Sequence, residues 1–370
     1  MKTWLPLLRY DPITNKRIPD PAEEEELSFD EEAYADSEIG KRHAEMLSVF
    51  EDYPADPMNP AVVKYWADRG LKKELFNDEC SDGVFSYSIF TPLDLNPDKK
   101  YALIYFSHGG GVLNNLAETY GFNTLAAVEK YMIVYPNNGG RSNDNIDTEF
   151  PRILGEIKEM NYPVDWERVY CVGFSSGSDA SAVAACTCPE LAAAVGILPG
   201  GQPFKDLKFH TGPEYYASTK GYRIPGIFIG GTEDIACYPA PWVLDNKRKE
   251  YRAENLNIWM RDIAQVKNYQ PITLASIESR LRNPTNQFKQ EFGIDFDRTY
   301  EFHVQGVDWL GGDLYGTDDS PVVRFVRARG LPHVVWESQA NIVWHYIKHF
   351  RRNPKTGESI YDPVACWGER

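Results

Sequence analysis

The chain has 370 residues, 42% hydrophobic and 13% aromatic, which supplies a sizeable core and excludes a disordered polypeptide. Its net charge of −15 sets it against phosphate backbones and anionic membrane surfaces, and no apolar run approaches the roughly 20 residues of a spanning helix. The opening stretch is broken by Pro6 and Arg9 and shows no small-residue cleavage site, so the reading is a cytoplasmic protein without a signal peptide.

In chain order, residues 1–75 are first Pro-rich and then acidic, and read as an extension of irregular and helical segments. Apolar spacing predicts helices over 37–53 and 59–76. From residue 76 the pattern changes to an α/β core. An edge strand is expected at 83–92, followed by a compact apolar strand at 101–107 that runs into a glycine loop. A helix near 118–131, a strand at 132–138 and an amphipathic helix at 147–160 follow. The strand at 168–174 leads into a helix of small residues, and two further strands are expected in 192–201 and 224–234. Strands that are continuous apolar runs and alternate with helices indicate a mostly parallel sheet covered on both faces. The core reads as two parts, 76–237 and 298–370, separated by a cap-like insertion at 238–297. After it come a strand at 298–305 and a last helix over 338–353.

Chemistry concentrates at "GFSSG", 173–177. A serine between two glycines, after a strand and before a helix, makes a bend that lifts the hydroxyl of Ser175 off the sheet at the positive end of a helix. Such a serine needs a base, and the base an orienting acid, in the chain order Ser, acid, His. Of the seven histidines, His43 and His108 come too early and His210 precedes the acid. His303 lies inside a predicted strand, and His345 and His349 lie in the last helix. His333, in a loop before that helix, is the candidate base. Asp234, after an apolar strand and a glycine turn, is the candidate acid; Glu233 beside it is weaker, and Asp308 and Asp313 are fallbacks.

"SHGGG" after the strand at 101–107 suits an oxyanion site, with the N–H groups of Gly110, Gly111 and Ser176 as donors. Trp242, Trp259, Trp309 and Trp336 are candidate pocket walls. No nucleotide-binding glycine motif is present, and the pair His345 and His349 lacks the glutamate of a zinc-hydrolase helix. The six scattered cysteines read as small core residues. Neither a metal nor an organic cofactor is expected.

The motifs "HGGG", "GFNTLAAVEKYMIVYPN", "VDWERVYCVGFSSGSDASAVA", "PGIFIGGTEDIACY" and "LPHVVW" resemble the α/β-hydrolases of the polyhydroxybutyrate depolymerase and feruloyl/acetyl xylan esterase group, over residues 83–235 and 300–352. The resemblance implies an α/β-hydrolase fold with Ser175 as nucleophile, Asp234 as acid and His333 as base. It also implies a serine esterase whose substrate is a small or polymer-derived ester. The chain departs from the group at Pro332, where a glycine is usual, and in its long insertion. The alternatives are a peptidase or acyltransferase on the same fold, and an inactive binding protein that keeps the fold. Neither nucleic acid nor membrane is expected as a partner, and oligomeric state is not readable.

Overall fold

The structure is a computed structural model. It describes residues 31–48, 57–77, 85–109, 117–137, 146–198, 221–231, 257–273 and 294–363, with 219, 275, 276 and 279. Twelve strands are formed among these residues, β1 Leu71–Phe76, β2 Tyr87–Pro92, β3 Tyr101–Ser107, β4 Met132–Pro136, β5 Val164–Gly173, β6 Ala194–Ile197, β7 Gly226–Gly231, β8 Arg298–Val304, β9 Val307–Leu314, β10 Val323–Ala328, β11 Phe350–Arg352 and β12 Ser359–Tyr361. Ten of them make one sheet in the order β1-β2-β4-β3-β5-β6-β7-β10-β9-β8, and β11 and β12 form a separate pair. From β4 to β10 every neighbouring pair is parallel, while β1, β2, β9 and β8 are attached antiparallel at the two ends.

The centre of the sheet is dry on both faces. Every residue of β3 is buried. Because strand side chains alternate, Leu103 and Tyr105 enter one hydrophobic cluster, and Ala102, Ile104 and Phe106 the other. The first face is covered by α5 (Ile146–Glu159), through Ile153, Leu154 and Ile157, and by α6 (Ser176–Thr187), through Ala180 and Ala184. The second is covered by α3 (Pro60–Ala67), α4 (Phe122–Glu129) and α7 (Glu337–Ile347), which contribute Trp66, Phe122 and Trp344. Short helices α1 (Glu31–Asp36) and α2 (Glu38–Ser48) precede α3.

Several expectations are corrected here. The helix predicted over 59–76 stops at Ala67, and its second half is β1. Gly70, at φ 84°, turns the chain into the strand, the usual work of a glycine just past a helix end. That strand takes the edge position, so β2, expected at the edge, is an inner strand. The boundary at residues 75/76 therefore falls inside a strand of the main sheet. The last helix ends at Ile347, and His349 lies in the turn beyond it, where its Nδ1–H donates to the Asp362 carbonyl at 3.0 Å. His345 thus lies in the last turn of the helix and His349 beyond its end. Sequence patterning also missed β9 and β10, because the aspartates and glycines of β9 and the arginines of β10 break the apolar run that flags a buried strand.

Cys171, Cys186 and Cys188 are buried, and burial pushes the Cys186 thiol up to about 12, as expected of inert core cysteines. Among the described residues no helix is long and apolar enough to cross a membrane.

Candidate active site

β5 ends at Gly173 and α6 begins at Ser176, so the reversal from strand to helix is completed within Phe174 and Ser175. Ser175 sits at φ 55° and ψ −126°, a backbone region that costs an L-residue on the order of 1–3 kcal/mol. The surroundings hold it there. Phe174 N donates to the Ser107 carbonyl at 3.1 Å, Gly177 N to the Phe174 carbonyl at 2.8 Å, and Ser178 N to the Ser175 carbonyl at 3.0 Å. The two glycines are obligatory for steric reasons. A Cβ on Gly173 would overlap the carbonyl of Gly177, and a Cβ on Gly177 would overlap the carbonyls of Ser107 and His108. Both obstacles are backbone, which cannot swing aside.

The strained turn leaves Ser175 partly exposed at the end of the parallel sheet, at the N-terminus of α6. His333 approaches from the loop between β10 and α7. Its Nε2 lies 3.2 Å from Ser175 Oγ, across 158 residues of chain. The imidazole packs on the Phe174 ring, centroids 5.1 Å apart and planes 33° from parallel. The residue between Gly173 and Ser175 thus supplies a platform for the base, a role the pentapeptide pattern leaves open.

The glycine loop starts on the same spot. A Cβ on Gly109 would stand 3.0 Å from Ser175 Cβ and 3.1 Å from the Phe174 ring, so the bare backbone at 109 packs on the turn. His108 is buried, with Nδ1–H donating to the Gly109 carbonyl at 2.8 Å. Ser176 is the first residue of α6, with its N–H among the orphan donors at the helix start. Gly110, Gly111, Glu233, Asp234, Trp242 and His210 lie outside the described residues.

The fallback acids are committed elsewhere. Asp308 holds His303 Nδ1 at 2.7 Å on the exposed hairpin of β8 and β9. Asp313 is buried, takes both arms of the Arg324 guanidinium at 2.7 and 2.9 Å, and accepts from Tyr300. The three described tryptophans proposed as pocket walls are packed instead into the core, each at most 2% exposed. Trp259 meets Phe228 edge-on in a π-helical turn, Trp309 stacks on Phe302, and Trp336 caps α7 with Arg42 over its ring at 5.7 Å.

Sequence reasoning also missed a buried polar network beside this site. Lys73 of β1 donates to Glu118 Oε1 at 2.7 Å, and Trp66 Nε1 donates to Glu118 Oε2 at 3.2 Å. Both charged side chains are fully buried. Two residues on, the Tyr120 ring meets the Phe174 ring edge-on at 5.5 Å. The one available signal was a lysine at a position where strand alternation points inward.

A mostly parallel sheet, a strained serine between strand and helix, and a histidine delivered by the loop after a later strand define the fold as that of an α/β-hydrolase. No family model matches the chain, and no curated protein matches it. Among solved structures it is similar to an acetyl xylan esterase from Aspergillus awamori, at 16% identity and a TM-score of 0.44, over 74% of this chain and 98% of that one. It is also similar to the protein FAE, at 16% identity and a TM-score of 0.43, over 75% and 86% of the two chains. A third is an S-formylglutathione hydrolase from Agrobacterium tumefaciens, at 15% identity and a TM-score of 0.38, over 47% and 81%. Similarity of this degree fixes no activity; the fold assignment rests on the topology and the turn.

Proposed function

We propose that the protein is a serine hydrolase that cleaves carboxylic esters through an acyl-enzyme. The observation that carries the reading is the 3.2 Å approach of His333 Nε2 to the hydroxyl of Ser175 on its strained turn. In this mechanism Ser175 Oγ attacks the ester carbonyl while His333 takes its proton. The carbonyl oxygen becomes an oxyanion held by the N–H groups of Gly110, Gly111 and Ser176. The imidazolium returns its proton to the departing alcohol, leaving Ser175 acylated. Water then attacks by the same route, with His333 again as base, and the acid leaves. Asp234 is the proposed orienting acid, supported by its place three residues after Gly231 at the end of β7. No cofactor is invoked in any step.

The test is labelling with a fluorophosphonate, followed by p-nitrophenyl esters of rising acyl length, methyl ferulate and acetylated xylan. Wild type should label and turn over at least one ester class, and Ser175→Ala should do neither. Equal labelling of the two proteins, or no labelling of wild type, overturns the reading. Labelling with cleavage of peptides and not of esters would move it to the peptidase alternative.

A further inference from the structure

The network of Lys73, Glu118 and Trp66 stands where stability alone gives little reason for it. Lys73 and Glu118 are both withdrawn from water. A buried ion pair of this kind is weak support for a fold, and apolar replacements of like volume are often neutral or stabilising. Its three members come from α3, β1 and the turn at 117–120 before α4, so it ties the N-terminal elements to one short segment. The tie is reinforced by packing: the Trp66 ring meets Phe90 edge-on at 5.8 Å, and Lys73 Nζ lies 5.4 Å from the centre of the same ring.

What that segment carries is Tyr120, 4% exposed. Its ring abuts Phe174, and Phe174 in turn backs both Ser175, its neighbour in the chain, and the imidazole of His333. Tyr120 also packs on Phe106, the penultimate residue of β3, at 6.1 Å. A contiguous set of contacts therefore runs from Glu118 through Tyr120 and Phe174 to the serine–histidine pair. Ring packing by itself leaves sliding freedom. Two hydrogen bonds to one carboxylate, from Lys73 and Trp66, remove that freedom at the root of the turn.

We infer that Lys73, Trp66 and Glu118 are positioning residues for the Ser175–His333 pair, acting through Tyr120 and Phe174, so that α3 and β1 belong to the catalytic unit. The inference rests on the serine-hydrolase reading above. It assigns a role in turnover to residues 60–76, which lie outside the segments carrying the family resemblance.

The test compares wild type with the apolar double variant Lys73→Met/Glu118→Leu, which leaves no unpaired buried charge, and with the single Glu118→Gln. Circular dichroism and thermal melting establish that each is folded. For p-nitrophenyl acetate, the double variant should lose about ten- to a hundredfold in kcat with KM within about twofold, since misplacing a reacting group by roughly 1 Å costs on that order. Its fluorophosphonate labelling rate should fall in step, and the histidine limb of its kcat/KM profile against pH should move. A purely structural network would alter melting and leave all three unchanged. A folded double variant with wild-type kcat and an unmoved pH profile overturns the inference. An inert wild type would remove the hydrolase reading itself, a result distinguishable because it needs no variant.

Discussion

Gly231, the last residue of β7, packs against the backbone of Leu331 and Pro332; a Cβ at 231 would overlap the Leu331 carbonyl. The end of β7 and the root of the histidine loop are thus in direct contact, in register with β10, whose Ala328 lies beside Gly231 in the sheet. The chain leaves this contact toward Asp234 on one side and His333 two residues after Leu331 on the other. Asp234→Asn is expected to lower ester turnover by orders of magnitude with an unchanged melting temperature, because the imidazole loses its tautomer control. Asp308→Asn, which removes only the exposed partner of His303, should leave turnover at the wild-type value. Steady-state kinetics on the two variants decides the matter, and the reverse pattern would move the acid to the β8–β9 hairpin.

His333→Ala should remove most turnover and slow fluorophosphonate labelling, while the half-buried position limits the loss of stability. Rates per folded molecule and a melting curve check this. A large fall in melting temperature with intact turnover would make the imidazole a packing residue on Phe174.

The glycines allow a paired test. Gly177→Ala drives a Cβ into two backbone carbonyls and should cost several kcal/mol together with all activity. Gly155, inside α5, has nothing within 4 Å of a Cβ, so Gly155→Ala should stabilise by about 0.5–1 kcal/mol without touching kinetics. Chemical denaturation of both variants measures the two signs.

Burial pushes the Glu118 carboxyl up from 4.5 to about 7, against the opposing pull of Lys73 and Trp66; the Tyr135 hydroxyl, which donates to Asn123 Oδ1, also feels the Glu118 charge. A carboxyl raised in the folded state binds its proton more tightly there than in the unfolded chain. Its contribution to stability is therefore complete below about pH 4.5 and is lost as pH rises through 7. Glu118→Gln, neutral at every pH, should flatten that part of the melting-temperature profile between pH 5 and 8. A variant profile parallel to wild type would contradict the assignment.

Much of the core was legible along the chain. The all-apolar β3 is readable because burial on both faces of a parallel sheet leaves no polar alternation to hide it. The turn at Ser175 is readable because glycines on both sides of a serine, between an apolar strand run and a run of small helix formers, make a local pattern, although the carbonyls that demand Gly177 belong to the distant Ser107 and His108. His333 could be singled out by chain order and by its loop between strand and helix. Other elements were not legible. β1 reads as helix because Lys73 looks solvent-facing until its distant partner Glu118 is known. β10 hides behind Arg324 and Arg327, whose charges are met by Asp313 in the neighbouring strand and by the Gly231 carbonyl, and β9 hides behind its own Asp308, Gly311, Gly312 and Asp313. Trp259 and Trp309 looked like pocket walls because side-chain size alone does not separate a core residue from a pocket one.

The sequence by itself determined the layered α/β class, the serine turn and the candidate histidine, since these follow from short-range apolar periodicity, from glycines spaced around one serine, and from a histidine's place in chain order. Only the tertiary structure decided that Nε2 of His333 stands at Ser175 Oγ, that Phe174 backs the imidazole, and that β1 is tied by a buried ion pair to Glu118, two residues before the Tyr120 ring that meets Phe174. Those relations join residues that are far apart in the chain, and they exist once sheet order and loop packing have fixed which distant groups leave water together.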